Sequence, residues 1–217
     1  MIALTVSLGR WQTNRAAEKA ALQSMLEARV REAPVVLGPS SGPADALLYR
    51  RVVVSGRWDS QGQIFIDNRI HEGRAGFQVV TPLRVAGGER VILVNRGWIE
   101  RTPAYPAPPA VAPLPSGDVE VSGLAALPPK RFLELSGDVV SGNVWQNLTL
   151  ERYAERMHVA VLPVMVLADR AGEGLVAVSE RPDTGIDRHR EYSLTWFSLA
   201  ATLAVLWLVY SIRRLPE

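Results

Sequence analysis

The chain has 217 residues, enough to bury a real core and to carry one domain plus an anchor. A net charge of +2 and the lack of any Lys/Arg block leave no electrostatic footprint for nucleic acid. Cysteine is absent, which excludes thiol nucleophiles, disulfides, iron–sulfur clusters and Cys-ligated zinc, and His71, His158 and His189 are too far apart to form a metal-ligand motif.

Met1 to Leu8 is mostly apolar but too short to span a bilayer, and no basic region precedes it as in a signal peptide. It reads either as a short interfacial anchor or as the end of a first membrane helix that begins upstream. Gln12 to Arg31 reads as a helix, because Leu22, Met25, Leu26 and Val30 recur at spacings of three and four. Pro34 follows its end.

From Leu48 the pattern becomes strand-like. Val52, Val53 and Val54 are β-branched, Ser60-Gln61-Gly62 is a turn cluster, and Ile64 to Ile66 resumes a strand. Phe77 to Val85 and Val91 to Val94 flank Gly87-Gly88, a hairpin signal that implies antiparallel pairing. Six prolines between Pro103 and Pro115 define an extended surface loop. Val119 to Ala125 reads as a strand and Leu150 to Met157 as a short helix with Thr149 as N-cap. Val161 to Leu167 reads as a strand that Pro163 places at a sheet edge. Ala171 to Gly185 is looser.

Tyr192 to Ile212 is 21 residues without a charge, proline or glycine, the length that crosses a hydrocarbon core as a helix. Tyr192, Trp196, Trp207 and Tyr210 stand near its two ends, where amphipathic rings settle at the membrane interface. Arg213 and Arg214 on the cytoplasmic side would place the rest of the chain outside. The chain thus reads as a membrane-anchored, β-rich α+β protein. An antiparallel, barrel-like extramembrane domain over 48–186 is flanked by a truncated first membrane segment and amphipathic helix at 1–32 and by a C-terminal transmembrane helix at 188–214.

No Gly-rich phosphate loop and no Gly-x-Ser-x-Gly elbow is present. Asn147-Leu148-Thr149 matches a glycosylation acceptor, a pattern common by chance. Asp67-Asn68-Arg69 and Asn95-Arg96-Gly97-Trp98 each place an arginine at a strand end. Such an arginine either grips a carboxylate, for instance a propionate, or ties neighbouring turns together. Gly97 beside Trp98 suggests a tight turn with a packed ring. His189 shares a helical face with Tyr192 and Trp196 at the interface. It is either an axial ligand to haem iron flanked by two rings or a hydrated interfacial histidine.

Seven pieces, in order along nearly the whole chain, carry a resemblance. They are Leu8-Gly9-Arg10-Trp11-Gln12 with Arg15 and Lys19; Gly56-Arg57-Trp58-Asp59; Asp67-Asn68-Arg69; Gly76-Phe77 with Thr81-Pro82-Leu83; Val94-Asn95-Arg96-Gly97-Trp98; Asn143-Val144-Trp145; and His189-x-x-Tyr192 with Thr195-Trp196-Phe197. The set resembles the Surfeit locus protein 1 family, assembly factors for haem-copper cytochrome oxidases. The resemblance implies two membrane helices flanking a domain on the outer face, the periplasm in bacteria. It implies a non-enzymatic role in maturing cytochrome oxidase subunit I, with haem a bound and delivered in bacterial members and haem A synthase as a further candidate partner. The family's haem-binding histidine maps onto His189, with Tyr192 and Trp196 beside it. The family has a full first helix before its Leu-Gly-x-Trp-Gln segment, whereas Met1 to Leu8 is all that stands there in this sequence. The alternatives are a scaffold for oxidase subunits that never touches haem, and a haem-modifying enzyme, for which no acid–base group stands out.

Overall fold

A computed structural model describes residues 1–129, 140–178 and 185–212. They fall into a barrel unit within Arg29–Glu180 and a helix unit from Met1–Ala28 and Arg181–Glu217.

The barrel unit contains β1 (Val35–Leu37), α2 (Ala44–Leu47), β2 (Arg51–Trp58), β3 (Ile64–His71), β4 (Arg74–Val85), β5 (Val91–Glu100), β6 (Asp118–Ala126), β7 (Val140–Ser141), β8 (Val144–Trp145), α3 (Leu150–Met157) and β9 (Val161–Ala168). The long helices are α1 (Ile2–Arg31) and α4 (Ile186–Ile212).

Alternation along β2 sends Val52, Val54 and Gly56 inward, and alternation along β9 sends Leu162, Val164 and Val166 inward. Together with Leu83, Val85, Ile92 and Val94 they fill the barrel interior. The strands run in the order β1-β2-β6-β9-β5-β4-β3-β8-β7, and an extra β2–β4 pairing closes β2-β6-β9-β5-β4 into a ring. Closure is short: Gly56 faces Val85, Arg57 faces Arg84 and Trp58 faces Leu83. A side chain on Gly56 would overlap the Arg84 carbonyl oxygen, so the two backbones meet here only because Gly56 has none.

Outside the ring, Leu93, Met165 and Leu167 form a second core with Ile64, Ile66, Trp145, Leu148 and Tyr153. The α3 helix seals this face. Thr149 caps it by accepting from Arg152 N, as its sequence suggested. Tyr153 Oη donates to Gly62 O at 2.7 Å, and its ring centroid lies 5.8 Å from that of Trp145. Burial, with the negative charge of Asp59 second, raises the Tyr153 phenol above its ordinary value.

Several expectations need correction. Pro163 is not at an edge: β9 lies between β6 and β5. The β5–β9 register shifts between Val91↔Val161 and Leu93↔Met165, and β6 contacts only Met165–Ala168, so Pro163 sits at a bulge with β6 absent beside it. Pairing is not wholly antiparallel, since β1–β2, β3–β8 and β5–β9 are parallel. The barrel unit also starts ahead of Leu48, with β1 and α2. Asn147 is buried, which removes it as a glycosylation acceptor.

In the helix unit, α1 is one uninterrupted helix, with no break between Leu8 and Gln12. Leu22 and Met25, whose spacing marked the helix in the sequence, are exposed. The α4 helix starts at Ile186, six residues before the charge-free segment, and is long and apolar enough to cross a membrane. Its Leu194, Val205, Leu206, Trp207 and Leu208 are exposed. Arg213 and Arg214 lie outside the described residues.

Two measurements check this architecture. Replacing Gly56 with Ala should destabilise the barrel by about 1–3 kcal/mol in urea unfolding, the usual cost of overpacking. Tyr153 holds its proton more tightly folded than unfolded, so stability should fall as pH rises past the ordinary phenol value of 10.0. Tyr153→Phe should flatten that alkaline decline and cost about 1–3 kcal/mol at neutral pH, because Gly62 O loses its donor.

Candidate functional site

The two arginine clusters lie inside strands at bulges, not at strand ends. In β3, the register with β4 shifts between Ile66 and Arg69. Asp67 there accepts from Arg101 Nη2 at 2.7 Å, from Tyr105 Oη at 3.1 Å and from the Asn68 amide at 2.6 Å. Arg101 also lies 4.1 Å from the Tyr105 ring centroid. Asp67 therefore pins the start of the proline-rich loop to the barrel. Trp98 Nε1 donates to Arg69 O at 2.8 Å, which ties β5, across the intervening β4, to the same bulge.

In β5, the register with β4 shifts opposite Asn95 and Gly97, so Arg96 is the extra residue of a bulge. Gly97 has φ 138°, a conformation that disfavours any side chain, and Asn95 Oδ1 accepts from its amide at 3.1 Å. Trp98 is packed, as expected, but in a strand and not in a turn. The bulge turns Arg96 toward Gln63, whose Oε1 accepts from Arg96 Nη1 at 3.1 Å and from Thr81 Oγ1 at 3.0 Å. Arg96 is 6% exposed, lies 5.7 Å from the centroid of the Trp58 ring, and has no carboxylate partner among the described residues. Burial lowers its guanidinium pKa.

The helix unit holds the other candidates, His189, Tyr192 and Trp196, all on α4. His189 Nδ1 lies 2.6 Å from Gln12 Oε1. A carbonyl oxygen only accepts, so Nδ1 carries the proton and the neutral ring has its free lone pair at Nε2. One turn on, Thr13 Oγ1 meets Ser193 Oγ at 2.8 Å, and Ser193 Oγ donates to Gly9 O at 3.3 Å. A methyl group on Gly9 would stand 2.9 Å from the Phe197 ring. Thr5, Gly9 and Ala16 on α1 and Ser193 and Ala200 on α4 are the buried residues of the pair. Small side chains thus bring two antiparallel helices close together and fix Gln12 beside His189. Tyr192 is 53% exposed and Trp196 half-buried, so neither is enclosed. Gln12 was quoted in sequence as part of a motif, but nothing there assigned it to His189.

Among the described residues no cluster of three or more metal-ligating side chains occurs. A macrocycle that brings its own four nitrogens needs one protein nitrogen, and His189 Nε2 fits that need. Its Nδ1–H, held by an oxygen acceptor, matches the way ligating histidines are oriented.

The helix seam has a direct check. The chain lacks cysteine, so Thr13→Cys with Ser193→Cys should form one disulfide on mild oxidation, seen as a non-reducing gel shift. Adding Gly9→Val should suppress it by pushing Phe197 away.

Comparison with known proteins agrees with the motif set. The SURF1 family model matches residues 1–201. Surfeit locus protein 1 of Xenopus tropicalis is 30% identical, over 97% of this chain and 73% of its own length. The Mus musculus protein of the same name is 29% identical, over 99% of this chain and 74% of its own length. A SURF1-like protein of Rickettsia felis is 26% identical, over 95% of this chain and 92% of its own length. A family match across nearly the whole chain, together with these relatives, establishes that the chain belongs to the SURF1 family.

Proposed function

We propose that this chain is a non-enzymatic assembly factor for a haem-copper cytochrome c oxidase, one that holds haem a and aids its insertion into subunit I. The observation that carries the reading is the paired imidazole: His189 Nδ1 is held by Gln12, and Nε2 is left as a donor atom near the start of an apolar helix. Haem iron would supply the ligand-accepting centre. His189 would provide the axial nitrogen, Gln12 would set its tautomer, and Tyr192 and Trp196 would offer ring faces to a flat macrocycle. On this reading α4 spans a bacterial inner membrane, the barrel stands on the periplasmic side, and subunit I receives the cargo. Haem A synthase is the natural donor.

The test is spectral. The full chain, co-produced with a haem A source and purified in detergent, should carry a haem a absorption spectrum. His189→Ala should abolish most of that signal. Gln12→Leu should weaken haem affinity by about tenfold or more, the usual cost of losing a ligand's orienting partner. Equal loading in wild type and His189→Ala would remove His189 as the ligand. A colourless wild type that still co-purifies with subunit I would favour the scaffold reading.

A further inference from the structure

The ring of five strands has a gap. β9 ends at Ala168, and its pairing with β6 covers Gly123–Ala126 only. Beyond that point β5 continues through Arg96 to Glu100, and β6 extends back to Asp118, with no strand of the sheet between them among the described residues. The space left is a cavity of about 510 Å³, lined by Trp58, Arg96, Pro113–Pro115, Glu120, Arg170 and Gly172 among others. Its size falls within the range of small-ligand sites, roughly 300–1,000 Å³.

The floor of this cleft is a buried charge. Arg96 is buried and permanently cationic, yet one amide oxygen, from Gln63, and one ring face, from Trp58, are its only partners among the described side chains. Buried cations are normally paired with an anion, because desolvation without compensation is costly. The neighbouring chain is shaped around the group. Gly172 N donates to Arg96 O at 2.8 Å, and a methyl group on Gly172 would stand 2.8 Å from Arg96 Nη2. Arg170 adds a second cation on the rim, while Glu120 and Glu173 add two exposed carboxylates. The rim thus carries one more negative than positive charge, which disfavours a dianion and leaves Arg96 as the group that takes a single negative charge.

We propose that this cleft is a binding site for a carboxylate, taken by Arg96 on its floor with the ligand's carbon body against Trp58 and Leu114. A guanidinium presents a planar fork that matches a carboxylate. Trp58 and the proline wall supply apolar surface for what the carboxylate is attached to. The carboxylate comes either from a free organic acid or from a Glu or Asp side chain on an extended partner segment. The second source would also pair with the β6 edge at Asp118–Val121, which β9 does not cover. The site lies wholly in the barrel unit and does not depend on His189 or on haem.

The experiment is calorimetric titration of the full-length protein in detergent with three probes: succinate monomethyl ester, a blocked Val-Glu-Val tripeptide, and inorganic phosphate. A blocked Val-Gln-Val tripeptide is the control. Saturable binding of at least one carboxylate probe, in the millimolar range or tighter, is expected, with the Gln control silent. Arg96→Gln should weaken it by about tenfold or more, the worth of a charge-assisted hydrogen bond. Arg96→Lys keeps the charge and should weaken it by less, which guards against a folding defect in the Gln variant. Trp58→Leu should weaken the tripeptide. Preference for the tripeptide identifies a partner segment as the source, and equal binding of both carboxylates identifies a free acid. Absence of binding by both carboxylates, tighter binding of phosphate, or equal affinity in wild type and both Arg96 variants would overturn the proposal.

Discussion

The barrel depends on one close approach. Along a single edge, β4 gives Arg74–Val80 to β3 and Leu83–Val85 to β2, and the ring closes through the second of these. Three residue pairs form that closure, and at one end of it Gly56 passes the Arg84 carbonyl with no room for a side chain. Closure removes an open sheet edge and lets Val54, Leu83, Ile92, Val94 and Val166 meet in one interior. Short strands of valine and leucine could form an open sheet equally well. The missing Cβ at Gly56 is what makes the closed form geometrically accessible.

A small ring cannot give every strand full-length neighbours. β9 is buried on both faces, which explains its nearly continuous apolar run, but it reaches only as far as Ala168. The bulge at Arg96 begins where this cover ends, and the chain after β9 turns back to pair Val176 with Trp98. The backbone of β5 is therefore satisfied past the end of β9, whereas among the described side chains the charge on Arg96 meets only a neutral amide and a ring. Backbone needs were met locally; the charge was not.

What could be read in the sequence divides by range. The α3 helix and its Thr149 cap were legible because a cap and an apolar stripe are encoded within one turn. The strands around Val52, Ile64, Phe77 and Val91 were legible from β-branched and apolar composition. Pro163 misled, because a proline reports only that its own N–H is missing, and whether a strand lies opposite is set by β6, some forty residues earlier. The bulges at Arg69 and Arg96 were read as strand ends for the same reason: a bulge is a relation between two strands, and one strand's letters do not show it. Val35–Leu37 and Ala44–Leu47 are too short for periodicity to register and form because the barrel offers them a place. The pairing of Gln12 with His189 spans 177 positions, so no local pattern could announce it.

The helix pair rests on different physics from the barrel. Its seam is built from Gly9, Thr13, Ser193 and Ala200, with the Phe197 ring against Gly9, while Leu194, Val205, Leu206 and Leu208 of α4 are exposed. Where the surroundings are as apolar as those side chains, burying them against each other contributes little. Association then comes from close packing of small residues and hydrogen bonds across the seam. Those same contacts set the register of the two helices. A one-residue slip would part Thr13 from Ser193 and Gln12 from His189 together, because both bonds lie within one turn of each other. The imidazole's tautomer is thus decided by helix packing and not by the histidine's own surroundings alone, and the small residue at Gly9 is as much a determinant of the Nε2 lone pair as Gln12 is.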